Sequence, residues 1–506
     1  MIEFSLVSMK ISPKLLDQIL LPGVMVAALV GHISALSNHL VSDSWVFVYP
    51  RTFGEILRYF VTSIIPPEGE ALWLRPLPMF SFWLENRLLP GTEWLPHLTN
   101  ILFHVLNVWL LWMVVCFMLA PAGKAPQERR GGFAAFTACL IYALHPLTVG
   151  SVDWVAARFD VVCITFGLAG MLFWLRWDAG MTKSRDLWLA TLLLLGSLLS
   201  KEQGVVFLMS CAFLSLLGLL SPEKKSLRRA GLLIPAVMIA VYGIFRFAVF
   251  GGIGGYYTSR HGLSILPPLN YFAAVLFPYL NLYPNWSFSW SFWAAALVVT
   301  TLILFLWTAP PARYSPMKRK YALTALALLV LGLATTAPNP GLTLEKVVGH
   351  AESRFALIPV TALAMLIGLA VSQIRGAALY RAALLAALFW GITSAWRTDV
   401  QIQAWKSAGN TARSIIDQTL ALAPDPPQGS SLIFLDIPRN NDQYAYIFGI
   451  GLDYAIHLKY NRSDIKILRY PTRDDLQHAN PDRDMAFRYN AATGKLEKLY
   501  AKRVKK

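Results

Sequence analysis

Residues 145–160, HPLTVGSVDWVAARFD, decide how the rest of the chain is read. The stretch joins two hydrophobic runs, 133–144 and 161–175, and therefore belongs at a membrane face. It carries a His-Pro start, two acids, a Trp and an Arg within sixteen residues. Ionisable groups at that depth are expensive and by default mark a functional site. The plainer alternative is an interfacial loop, with Trp154 in the aromatic belt and Arg158 snorkelling. Several other polar clusters on the same expected face weigh against that alternative.

The chain of 506 residues is 56% hydrophobic and only 15% charged, with a mean hydropathy of +0.48. About a quarter of a soluble domain is charged. The apolar runs are long and continuous rather than alternating, so the fold class is an all-α polytopic membrane protein. A net charge of +16 raises nucleic acid as a partner. The cations lie in short clusters between hydrophobic runs, however, which is a topology signal and not a phosphate-binding stripe. Cys116, Cys139, Cys163 and Cys211 all fall inside apolar runs and form no CxxC, so neither a disulfide nor a zinc site is expected. The run 15–36 has no small-residue cleavage site and reads as a retained first span.

Eleven spans are expected, at 15–37, 97–120, 133–150, 159–176, 187–200, 204–220, 230–250, 290–309, 321–337, 355–374 and 379–396. A single helix over 187–220 would be roughly 50 Å long at 1.5 Å per residue, and Lys201-Glu202-Gln203-Gly204 interrupts it. Two spans joined by a recessed polar turn fit better. Lys and Arg clusters fall in alternate loops, which places the N-terminus in the cytoplasm. The opposite face then holds the loops 38–96, 145–160, 201–204, 251–289 and 338–354. It also holds the tail. Residues 1–397 form the membrane domain and 398–506 a small extracytoplasmic α/β segment, with strands at 431–437 and 464–470 around a helix at 443–459. Interfacial helices are expected at 53–60 and 79–89, and a short re-entrant or interfacial helix at 269–283. The glycine run 251–255 lacks the Lys-Ser/Thr of a P-loop.

Three sets of residues could carry chemistry. His97, Asn100, His104 and Asn107 are spaced 3, 4 and 3 apart, so they share one helical face. That face points into the protein, either lining a wet cavity or acting as a polar seam between helices. Arg75, Arg158, Lys201, Arg246 and Arg354 all fall on or near the outer face. Arg forks and a Lys point charge suit a phosphorylated lipid head group. Local ion pairing with Asp160, Glu202 and Glu352 is the simpler explanation. Asp43 directly follows the first span and is a candidate general base, or else a solvated loop acid.

The pieces resemble a family. Arg75-Pro76-Leu77 followed by His97-Leu98-Thr99-Asn100-Ile101-Leu102-Phe103-His104 is similar to an RPL…HLxNxxxH segment. His145-Pro146 through Trp154 to Arg158-Phe159-Asp160 is similar to HPxxxxxxxWxxxRxD. Ser200-Lys201-Glu202-Gln203-Gly204 is similar to SKExG, and Glu352-Ser353-Arg354-Phe355 through Pro359 to ERYxYxP. The chain thus resembles, over about 15–410, polyprenyl-phosphate-sugar-dependent glycosyltransferases of the GT-C membrane fold. Within them it resembles the bacterial relatives of the transmembrane and tetratricopeptide-repeat O-mannosyltransferases. It departs from them at Thr148 and Gly150, where the family often has His and Glu, and at Ser44, where a second acid is usual. Asp153 is the acid placed to replace the missing Glu. No tetratricopeptide array follows the last span.

The resemblance implies a hexosyl transfer, with inversion, from a lipid-linked donor bound at the outer leaflet of a bacterial inner membrane. The acceptor is a lipid, a glycan or a protein, and no nucleic acid is involved. Asp43 is the expected base, with Asp153 its rival. Arg75, Arg158, Lys201 and Arg354 are expected at the donor phosphate. His97, Asn100, His104, His145, Asp160, Glu202 and Glu352 are expected in support. No cofactor is obligatory on this reading, and a divalent metal is the open alternative. Two competing functions are a lipid-linked glycan ligase or polymerase, and a transporter or flippase. The second is disfavoured by the absence of internal repeats.

Overall fold

The computed structural model describes residues 13–64, 73–120, 129–181, 184–219, 225–251, 263–278, 316–339, 341–348, 351–374, 376–441, 445–469, 480 and 483–499. A bilayer leaves backbone polar groups no partner but each other, so long apolar runs become helices. In chain order these are α1 (Pro13–His32), α2 (Pro76–Leu88), α3 (Trp94–Leu119), α4 (Arg129–Leu144), α5 (Arg158–Asp178), α6 (Ser184–Ser200) and α7 (Val205–Leu219). They continue with α8 (Lys225–Phe250), α9 (Leu266–Leu276), α10 (Pro316–Ala334), α11 (Leu357–Val371), α12 (Ala377–Leu422) and α13 (Leu452–Tyr460). Helices stand at ten of the eleven expected span positions. The eleventh, 290–309, lies outside the described residues, as does most of the glycine run 251–255.

Among the described residues six helices are long and apolar enough to cross a membrane, or seven with a bent pair counted as one span. α8 shows why these faces meet lipid. Leu233, Val237, Val241, Ile244 and Phe247 are all exposed and lie three or four residues apart along one side. The protein is an integral membrane protein.

The bent pair is Gly131–Leu144 and Pro146–Val152, broken at His145, where the 145–160 stretch begins. Pro146 has no N–H to continue α4, so the helix stops at Leu144 and restarts through a tight turn at 51°. His145 caps that turn, its Nδ1 accepting from the Leu147 amide at 3.2 Å. The second interruption, at 201–204, separates α6 from α7. A Cβ on Gly204 would stand 2.5 Å from the Ser197 backbone, so the turn requires a glycine.

α12 departs from the expectation that the last span ends at 396. It runs 46 residues, roughly 69 Å at 1.5 Å per residue, well beyond the thickness of a bilayer. The physical reason is a second apolar stripe. Ile402, Trp405, Ala408, Ala412, Ile415 and Ile416 are buried at helical spacing beyond the lipid-facing half.

Two hydrophobic cores result. One lies between the membrane helices, around Val108, Ala138, Trp174, Phe207 and Met365. The other gathers at one end of the bundle. It joins the 40–48 stretch, α2, the 149–159 stretch, the far half of α12 and the C-terminal segment. That segment contains a four-stranded sheet of order β2-β1-β3-β4, from β1 (Ser431–Leu435), β2 (Lys466–Arg469), β3 (Met485–Asn490) and β4 (Lys495–Leu499). β1 is parallel to β2, with α13 as the crossover, and also parallel to β3; β3 and β4 form an antiparallel hairpin. The last two strands were not anticipated from the sequence. The helix expected at 443–459 is shorter and later, because Gly451 at φ +89° starts it.

Candidate functional site

The four motif stretches meet at the end of the bundle that holds the second core. There Lys201, at the turn between α6 and α7, pairs with Asp160 of α5. Glu202 binds two guanidinium groups. Arg75 donates to it through Nε at 3.1 Å and Nη2 at 2.8 Å, and Arg246 of α8 through Nη1 at 3.0 Å. Arg354 lies 3.5 Å from Glu352. Aromatic rings space these cations. The Phe355 ring is 4.7 Å from the Lys201 ammonium and 4.8 Å from the Arg354 guanidinium. Arg354 also covers Trp154 at 4.8 Å, and Arg75 covers Trp73 at 4.6 Å. Such faces hold cations without neutralising them.

Arg75 and Arg354 keep 13% and 14% of their side-chain surface exposed, so part of this charge can still be reached from outside the protein. The sequence groups Arg246 with the outer cations that suit a phosphorylated head group; its partnership with Glu202 is tertiary information.

Asp43 begins the short helix Ser44–Val48, and its Oδ1 accepts from the Ser42 hydroxyl at 2.7 Å. It is partly exposed, unlike the buried residues on either side of it. Burial pushes its pKa above the usual carboxylate value. The Ser42 hydroxyl and the Arg354 guanidinium pull it back, while Glu352 adds to the rise. Asp43 therefore sits within electrostatic reach of the cation cluster.

Asp153 is placed differently. It is 1% exposed, and its Oδ2 is 2.8 Å from Nδ1 of His32, the last residue of α1. That position leaves it no border with a wet loop. His32 was missed in the sequence; a lone His ending an apolar run is the signal that could have found it.

Arg158, expected at the donor phosphate, is enclosed by protein groups. Its side chain is fully buried, with protein groups around the whole guanidinium. It donates to Asn100 Oδ1 at 2.8 Å, Ser81 Oγ at 3.0 Å and the Pro96 carbonyl at 2.8 Å, and pairs with Glu85 at 2.7 Å. It stacks on Phe82 at 3.7 Å. This is a tie between α2, α3 and α5, and Glu85 is a partner the sequence did not indicate.

The polar stripe on α3 is buried throughout. Asn100 donates to the Val152 and Trp154 carbonyls at 3.2 and 3.3 Å. Asn107 donates to the Val161 carbonyl at 2.9 Å and accepts from Thr165 at 2.7 Å. His104 Nε2 donates to the Ala143 carbonyl at 3.0 Å and its ring stands edge-on to His32. His97 is buried one turn before Asn100. His145 Nε2 donates to the Val275 carbonyl at 3.0 Å. These groups hold the 145–160 stretch in place from behind. Glu352 faces the C-terminal segment, where Tyr446 donates to it at 2.6 Å. Among the described residues no three His, Cys, Asp or Glu side chains form a metal-ligand group.

No family model matches the chain. Over 158 residues it is 32% identical to the protein O-mannosyl-transferase Tmtc3 of Drosophila melanogaster, covering 27% of this chain and 16% of that protein. Over 211 residues it is 24% identical to the protein O-mannosyl-transferase F38B6.6 of Caenorhabditis elegans, covering 41% and 28%. The chain thus spans less than a third of the length of these curated relatives. The crystal structure of ArnT from Cupriavidus metallidurans in the apo state superposes with a TM-score of 0.50 at 14% identity, over 93% of both chains. The chain has the GT-C membrane fold.

Proposed function

We propose that the protein is an integral membrane glycosyltransferase that moves a hexosyl group, with inversion, from a polyprenyl-phosphate-linked donor to a hydroxyl of an extracytoplasmic acceptor. The observation that carries this reading is the cluster of Arg75, Lys201, Arg246 and Arg354, spaced by aromatic rings, with Asp43 within electrostatic reach. In the proposed step the acceptor oxygen attacks the anomeric carbon as its proton passes to Asp43. The bond from that carbon to the phosphate oxygen breaks, and its electron pair leaves with the polyprenyl phosphate. Arg75, Lys201 and Arg354 stabilise the developing charge, which preorganised cations do best in a partly dry site. Asp160 and Glu202 orient them, Arg246 holds Glu202, and Glu352 aligns Arg354.

Asp43 is the better base because it keeps an outward border, whereas Asp153 is paired with His32 in the interior. Arg158 is assigned to the scaffold. No cofactor is part of the proposal. The site faces the periplasm of a bacterial inner membrane, with the N-terminus cytoplasmic and the C-terminal segment of 398–506 outside. The acceptor is a lipid, a glycan or a protein.

The test is donor turnover by the purified full chain in detergent, without a gradient, using polyprenyl-phosphate mannose and polyprenyl-phosphate glucose as probes. Release of polyprenyl phosphate that is lost in Lys201→Ala supports the reading. Movement of an intact donor only across sealed vesicles would replace it with transport.

A further inference from the structure

The C-terminal segment reaches the turn that carries Asp43 from 408 residues away in sequence. The Ser42 amide donates to the Ile447 carbonyl at 2.8 Å. The Ile450 amide donates to Ser42 Oγ at 3.3 Å, and the same hydroxyl donates to Asp43 Oδ1 at 2.7 Å. Ser42 adopts φ +45°, a left-handed conformation that a serine holds only when its surroundings demand it. The approach is too close for side chains on the partner loop. A Cβ on Gly451 would stand 2.3 Å from the Ser42 carbonyl oxygen, and one on Gly449 would stand 3.0 Å from Ser42 Oγ. The same loop supplies Tyr446, which donates to Glu352 at 2.6 Å and packs on Trp154 at 5.2 Å. Arg354 covers the Trp154 ring.

We infer that the loop 446–451 and Ser42 form a clamp that positions the Asp43 carboxylate against the Arg354 and Glu352 end of the site. This rests on the reading of Asp43 as the base. Ser42, Gly449 and Gly451 are positioning residues, and the C-terminal segment is part of the active site rather than only a cover. The clamp acts through one chain of hydrogen bonds, from the loop backbone to the Ser42 hydroxyl to Asp43. A hydroxyl donated to a carboxylate favours its ionised form. The charged groups acting most strongly on Asp43 are Arg354 and Glu352 from the 352–356 turn, and Tyr446 from the C-terminal segment is bonded to Glu352.

Ser42→Gly separates positioning from folding, because glycine relaxes the left-handed backbone while removing the hydroxyl. In the full chain in detergent, carbodiimide labelling of Asp43, followed by mass spectrometry, reads the pH at which the carboxyl is half protonated. That midpoint should rise by about one pH unit in Ser42→Gly. Gly451→Val should raise it similarly and speed hydrogen exchange of the Ser42 amide about tenfold. Unchanged midpoints in both variants, with unchanged exchange, would overturn the clamp. Turnover of polyprenyl-phosphate mannose by Asp43→Asn tests the base separately. Retained turnover there removes the base assignment while the labelling result still decides whether the clamp exists.

Discussion

The two hydrophobic cores use polar groups in opposite ways. Between the membrane helices, neutral polar side chains bond in pairs from helix to helix. Asn107 meets Thr165, Cys163 meets Ser197, and Trp174 meets Ser215. In the end core, whole charges are brought together, and Arg75 and Arg354 both stand close enough to act on Lys201. Cations so placed repel one another, and only a fixed set of acids and rings makes the arrangement tolerable. The membrane core thus joins helices through neutral pairs, whereas the end core concentrates paired charges.

The sharpest way to break this comparison is Asp43→Asn. If the end core holds the chemistry, turnover should fall about 10²–10⁴-fold while the protein purifies normally. The pH profile adds a sign. Because burial raises the pKa of Asp43, the acid limb should sit above the ordinary carboxylate range, with activity falling as pH drops through it. The raised folded-state pKa also means that ionisation of Asp43 opposes folding. Its contribution to stability should decline as pH rises from the unfolded to the folded pKa.

Next in size is Arg158→Ala. Although it lies among the motif residues, it is expected to behave as a frame residue. It should lower stability by about 3–5 kcal/mol, because Glu85 is left buried and unpaired. Thermal unfolding in detergent checks this, and normal stability with lost turnover would return Arg158 to the phosphate site. Lys201→Ala should lower turnover about 10²–10³-fold, and because it leaves Asp160 buried and unpaired it should lower stability as well. Arg354→Lys should not restore full activity, since the planar fork is gone. The smallest effect belongs to the membrane core. Asn107→Leu should cost about 1 kcal/mol and leave kcat unchanged, from two interhelical hydrogen bonds of roughly 0.6 kcal/mol each in a membrane.

Much of the frame was legible in the chain itself. Continuous apolar runs and the polar turn at 201–204 are local signals, and each produced its helix end where the side-chain chemistry required one; the helix end at Leu144 was not anticipated, since the expected span ran on through Pro146 to 150. The α3 stripe was legible for the same reason, since spacing alone decides which residues share a helical face. Pairing was not legible. Arg158 and Lys201 look alike in sequence, each with an acid two residues or fewer away. Yet Arg158 bonds Glu85 and Lys201 bonds Asp160. Glu202, beside Lys201, is taken by Arg75 and Arg246, and Asp153 by a histidine 121 residues earlier. A charge chooses its partner by distance in space and by what else has lost its water, and sequence proximity measures neither. The hold of the 446–451 loop on Ser42 is the extreme case, because backbone amides and glycines carry no pattern that points to a distant turn. Local covalent chemistry therefore determined the helices and their breaks. Which acid each buried cation pairs with was decided only when the end core closed around them.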